Sequence, residues 1–165
     1  MATKKKKAKT AKKRTTAAAR RKPAARRKAA RPVRTQPETL RLRGATPSFT
    51  VSDVEKSLAW YRDVLGFAVS ERWESGGKLA GVEIVAGTVT FMLGQDDWKK
   101  GRDRVKGEGF RIYCNTVQDV DALAKRIKAH GGTLAQEPAD QPWGWRDFSV
   151  VDPDGFKITI GADRK

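Results

Sequence analysis

Apolar residues recur at every second position in several short stretches of this chain and at helical spacing in two others. In residues 45–51, Phe49 and Val51 alternate with Thr46, Ser48 and Thr50, the period of a half-buried strand. Val54, Leu58, Tyr61 and Leu65 then fall three or four apart, one face of a helix. Ser52 suits its N-cap, with Glu55 completing a capping box, and Gly66 suits its end. Strands are expected over 67–73, 79–86 and 88–94, with Gly76-Gly77 and Gly87 at the turns.

The same order then recurs. Residues 110–116 alternate, with Phe110, Ile112 and Cys114 on one face and Arg111, Tyr113 and Asn115 on the other. Asp119-Val120-Asp121 opens a helix through about His130, which Gly131-Gly132 ends. Residues 133–135 read as a short strand. Phe148 and Val150 alternate up to Asp152-Pro153-Asp154-Gly155, a tight turn in which Pro presets φ and Gly accepts φ > 0. Phe156, Ile158 and Ile160 resume the period of two. An offset of 66 lays Asp53-Val54-Glu55 on Asp119-Val120-Asp121 and Gly66 on Gly132.

Strand, helix, three strands, twice over, predicts an α+β fold. Two βαβββ modules would form a curved mixed sheet around a concave cavity, with helices outside. Phe49, Val51, Val89, Phe91, Leu93, Ile112, Cys114, Ile158 and Ile160 are the expected helix-side core. Thr46, Ser48, Thr90, Met92, Arg111, Tyr113, Lys157 and Thr159 are expected on the opposite face, a mixed lining suited to a small molecule.

Charge divides the chain. The 165 residues carry 35 Lys and Arg against 19 Asp and Glu. Sixteen of those bases fall in residues 1–34, which hold no acid, so the remaining 19 balance the 19 acids. Residues 1–36 are mostly Lys, Arg, Ala, Thr and Pro. They cannot bury enough apolar surface to offset ordering entropy and are expected to be disordered. Residues 37–44 read as a linker and 45–162 as one domain. No apolar core follows the basic run, so it is not expected to be a signal peptide, and no stretch approaches membrane-spanning length. Lys4, Lys5, Lys6, Lys7, Lys12, Lys13, Arg14, Arg20, Arg21, Arg26 and Arg27 are candidate contacts to nucleic acid or another polyanion. In composition this tail resembles those of linker histones and bacterial histone-like proteins. A cytoplasmic, nucleoid-associated location would follow.

Catalytic chemistry is sparsely supplied. Cys114 is the only cysteine, excludes an internal disulfide and is expected to be buried and inert. His130 is the only histidine and reads as a helix-end residue. Asp96-Asp97 reads as a solvated charge cluster.

Three segments carry a resemblance. Residues 51–67 (Val51-Ser52-Asp53-Val54-Glu55 through Trp60-Tyr61-Arg62-Asp63-Val64-Leu65-Gly66-Phe67), with Asp119-Val120-Asp121-Ala122-Leu123, resemble the vicinal oxygen chelate superfamily of glyoxalase I, bleomycin-resistance proteins and extradiol dioxygenases. Trp143-Gly144-Trp145-Arg146-Asp147-Phe148, leading into Asp152-Pro153-Asp154-Gly155-Phe156, looks most like the bleomycin-resistance branch. The resemblance implies that metal-dependent members hold a divalent ion with His or Glu at four inward positions. Here those positions are Thr46, Met92, Arg111 and Thr159, and the nearby Phe91, Leu93, Phe110 and Lys157 are not ligands of that kind either. No metal and no cofactor is therefore expected. Ser48, Met92, Arg111, Tyr113, Asn115, Trp143, Trp145 and Thr159 become candidate ligand contacts. Trp143, Trp145 and Trp98 offer stacking surfaces, and Arg111 could anchor a carboxylate or phosphate. The expected function is metal-independent binding of an aromatic or cationic small molecule. A glyoxalase-like lyase or isomerase and a DNA-binding protein of the nucleoid are the alternatives. A homodimer is implied by the resemblance.

Overall fold

Among the described residues, eight strands and two helices follow the expected order. The structure, a computed structural model, describes residues 42–164. The expectations for residues 1–41, disorder and polyanion contacts included, lie outside the described residues.

The first module comprises β1 (Ser48–Val51), α1 (Val54–Trp60), β2 (Ala68–Ser75), β3 (Lys78–Ala86) and β4 (Val89–Gln95). The second comprises β5 (Arg111–Asn115), α2 (Val120–Ala129), β6 (Leu134–Asp140), β7 (Trp145–Val151) and β8 (Lys157–Asp163). Each module forms its own four-stranded mixed sheet, ordered β1-β4-β3-β2 and β5-β8-β7-β6. The two sheets correspond strand for strand, with parallel pairs β1/β4 and β5/β8.

Local chemistry places the helices. α1 continues through a π-helical turn, Tyr61–Leu65, and stops at Gly66, whose φ of 85° suits a residue without Cβ. Its N-cap is Asp53, not Ser52: the Asp53 carboxylate accepts from Lys56 N–H at 3.0 Å. Ser52 is engaged elsewhere, its hydroxyl donating to Asp154 Oδ1 at 2.5 Å and accepting from Lys106 Nζ at 2.9 Å. α2 is capped by Asp119, whose carboxylate accepts from Ala122 N–H at 2.8 Å. His130 closes α2, with Nδ1 2.8 Å from the Arg126 carbonyl.

β6 runs to Asp140, well beyond the short strand expected. Pro138 lies within it, and proline is tolerated because β6 is an edge strand with two register shifts.

One apolar core joins the helix sides of both modules. Phe49, Val51, Phe91 and Leu93 enter it from sheet one, Phe148, Val150 and Ile158 from sheet two, and Tyr61, Val64 and Ile127 from the helices. The Phe49 ring centroid lies 4.6 Å from that of Phe156, so packing crosses between the modules. Val89, Ile112, Cys114 and Ile160 are partly buried against this core.

Candidate ligand-binding site

Period-two alternation turns a second set of side chains away from the helices. On sheet two, register pairs Arg111 with Lys157, Tyr113 with Thr159 and Asn115 with Gly161. Thr159 and Gly161 pair in turn with Ser149 and Asp147. Arg111, Tyr113, Asn115, Thr159 and Trp145 therefore share one face, as expected. Trp143 precedes β7 in the turn whose Gly144 has φ 91°. It is 62% exposed and Tyr113 is 54% exposed. Together Tyr113, Trp143 and Trp145 line a shallow depression of about 460 Å³. Trp145 is half-buried, and a Cβ on Gly161 would come within 3.0 Å of its ring.

Polar groups on this face divide into engaged and free. Asp147 is buried and accepts from Gln141 Nε2 at 2.8 Å. Thr159 is also buried, its hydroxyl 2.9 Å from that of Ser149, so it is already partnered. Arg111 is exposed and makes no ion pair with a described residue, and its strand neighbour is another cation, Lys157. An anionic group would relieve that like-charge pair.

Ser48 and Met92 are register partners on the equivalent face of sheet one. Glu83 pairs with Met92 there, and Ser70 Oγ donates to Glu83 Oε1 at 2.5 Å. Apolar residues stand on both sides of β3, so alternation alone does not assign Glu83 to a face. Thr46 lies ahead of β1 and is exposed.

Two expectations need correction. Asp96-Asp97 is solvated only at Asp97: the Asp96 side chain is buried, pairs with Arg104, and lies 2.9 Å from Lys106 Nζ. Those contacts are missed by composition because Arg104 and Lys106 return through a loop. Hydrogen bonds from Lys106 and from the Trp98 N–H hold the Asp96 carboxyl down to about 2. Trp98 is no free stacking surface, since Lys106 Nζ lies 4.6 Å and Arg102 Cζ 4.9 Å from its ring centroid.

Cys114 is partly buried on the helix side of β5, and burial pushes its thiol up to about 11.

The four positions where the resemblance implies metal ligands carry Thr46, Met92, Arg111 and Thr159. A divalent ion of the kind bound by imidazole and carboxylate finds no such donor at any of them, and it would meet a guanidinium at one. Among the described residues, no group of three or more His, Cys, Asp or Glu could hold a metal ion. The residues present do not fit the group.

A paired βαβββ protein with a lined sheet face is the class that fold and site define. Residues 45–160 match the Glyoxalase/Bleomycin resistance protein/Dioxygenase superfamily. The chain belongs to that superfamily. It is 24% identical over 115 residues to the glutathione transferase FosA of Serratia marcescens, covering 68% of this chain and 75% of that protein. It is 28% identical over 122 residues to a probable lactoylglutathione lyase of Synechocystis sp., covering 67% and 87%. Among solved structures, TioX from Micromonospora sp. ML1 superposes with a TM-score of 0.59 at 22% identity, covering 73% of this chain and 99% of TioX. That likeness shows the fold. No helix among the described residues is long and apolar enough to cross a membrane.

Proposed function

We propose that the folded domain binds a small aromatic molecule without a metal ion. The ligand's ring would stack in the Tyr113/Trp143/Trp145 depression, and Arg111 would hold a carboxylate or phosphate. The observation that carries this reading is the residue set at the four ligand positions: Thr46, Met92, Arg111 and Thr159 offer no imidazole or carboxylate, whereas exposed aromatic surface shares a sheet face with Arg111 and Thr159. Base or ring stacking of this kind is worth ~1–3 kcal/mol per ring. Because the depression is shallow, a second copy of the chain would complete its walls. Calorimetric titration of the full chain with a panel of aromatic acids, bleomycin included, tests the reading. Saturable heat at one site per chain supports it, and no heat from a folded sample overturns it.

A second reading, a lyase or transferase, is favoured by the similarity to the glutathione transferase FosA and to the probable lactoylglutathione lyase. Lactoylglutathione lyase assays on the metal-loaded and chelator-treated chain distinguish it. The segregation of 16 bases into residues 1–34 favours an added polyanion-binding role for the tail.

A further inference from the structure

We propose that a second binding site, on the helix side of the second sheet, takes an amphipathic small molecule with an apolar body and one anionic group. A cleft of about 940 Å³ lies there, within the size range of ligand pockets. Ile158, Ile160 and Cys114 form its floor, Leu123 and Ile127 of α2 one wall, and Phe67 the other. Apolar residues predominate in this lining, beside the polar Thr88, Asn115, Thr116 and Gln118, which suits an apolar body carrying a polar group.

One cation meets the cleft. Arg126 Nη2 donates to the Leu65 carbonyl at 2.8 Å, and the guanidinium lies against the bare backbone of Gly66. A Cβ there would come within 2.9 Å of Arg126 Nη1, so glycine is what admits the side chain. Arg126 makes no ion pair with a described residue, which leaves donors for an anion. Asp119 is the only carboxylate in the lining. It sits seven residues earlier, about 10 Å along the helix, and already accepts from Ala122 N–H. The two charges therefore mark opposite ends of the cleft, and the ligand's anion belongs at the Arg126 end.

This cleft is separate from the aromatic depression. Tyr113 and Cys114 are consecutive on β5 and point to opposite faces. Occupancy of one site can therefore be read without the other, and Cys114 is a unique reporter because the chain has no second cysteine.

The test measures alkylation of Cys114 by N-ethylmaleimide in the full chain, followed by mass spectrometry at about pH 9, where more of the thiol ionises. Decanoate and decyltrimethylammonium, both below their micellar concentrations, serve as probes of equal chain length and opposite charge. Decanoate at ten times its Kd is expected to slow alkylation about tenfold, while the ammonium probe slows it less than about twofold. Arg126→Met should erase that difference and Arg126→Lys retain it, with thermal melting confirming that both variants are folded. Trp143→Ala should leave protection by decanoate unchanged. Equal protection by both probes, or none, overturns the proposal. So does loss of protection in Trp143→Ala. So does an alkylation rate that falls with protein concentration in the absence of any probe, because a second copy would then cover the cleft.

Discussion

Tyr61 donates a 3.0 Å hydrogen bond to Asp152 Oδ2 across 91 residues of chain. Tyr61 belongs to the first module, and Asp152 opens the Asp-Pro-Asp-Gly turn of the second. Asp152 also accepts from the N–H groups of Phe156 and Asp154, at 2.8 and 3.0 Å. The turn is thus more than a hairpin end, since it joins the two halves. Asp154 strengthens the joint by accepting from Ser52 N–H at 2.9 Å. Burial, and then the charge of Asp152, push the Tyr61 hydroxyl far above its usual range, so it remains a donor. Burial also raises the Asp152 carboxyl, against the pull of these hydrogen bonds.

Tyr61→Phe should therefore destabilise the domain by ~1–3 kcal/mol, because it leaves a buried acceptor short of a donor. The loss should depend on pH. A folded carboxyl already raised would be raised further, so the folded state would prefer it protonated and would weaken as pH rises through that value. Urea denaturation at pH 7 and at about pH 4 is the check, with the larger loss expected at pH 7.

The linker between the modules crosses this turn at a place only glycine can occupy. Gly107 has φ 70°, and a Cβ on it would lie 2.3 Å from the Gly155 carbonyl. Gly76 has φ 58° with nothing within 4 Å. Both would strain as alanine, but only one would also strike backbone. Gly76→Ala should cost ~1 kcal/mol and Gly107→Ala at least ~3 kcal/mol, measured by urea denaturation.

The fold was legible because each module repeats its own punctuation. Asp53 and Asp119, Gly66 and Gly132, and the alternation of Phe49 and Val51 or Phe148 and Val150 are local signals that tertiary packing reinforced. The length of β6 and the choice of Asp53 over Ser52 were not legible, because each depends on a distant partner, and nothing in the sequence marks the π-turn. Ser52 yields the cap since its hydroxyl is held by Asp154 and Lys106. The face carrying Arg111, Tyr113 and Asn115 followed from alternation alone. The Asp96 cluster and the helix-side cleft did not, since a returning loop forms the first and two modules enclose the second.

Asp96 gives the domain an acid limb. Its carboxyl is held down to about 2, so the stability it contributes is present above the usual carboxylate pKa and lost as pH falls from about 4 towards that value. Asp96→Asn should lower Tm at pH 7 and flatten the decline of Tm between about pH 4 and 2. A scanning-calorimetry series across that range checks it.

Site and scaffold should separate in the tryptophans. Trp143 is exposed, so Trp143→Ala should change Tm by less than ~2 °C while weakening ligand binding about tenfold or more. Trp145 packs against Gly161, so Trp145→Ala should lower both stability and binding. Calorimetric titration paired with thermal melting distinguishes the two.

Removal of residues 1–36 should abolish most binding to duplex DNA and leave the Tm of the domain within ~2 °C. Binding by the full chain should fall steeply with salt, as phosphate neutralisation requires. Electrophoretic mobility shifts at two salt concentrations are the measurement.

The most direct test is the affinity of the full chain for an aromatic acid identified by the calorimetric panel. It is measured by tryptophan fluorescence after exhaustive chelation and again after loading with manganese, zinc or nickel. With Thr46, Met92, Arg111 and Thr159 at the four ligand positions, the affinity should be the same in both states. Elemental analysis should find no stoichiometric metal in the purified protein. One bound metal per chain, with binding or lyase activity that appears only on loading, would contradict the account.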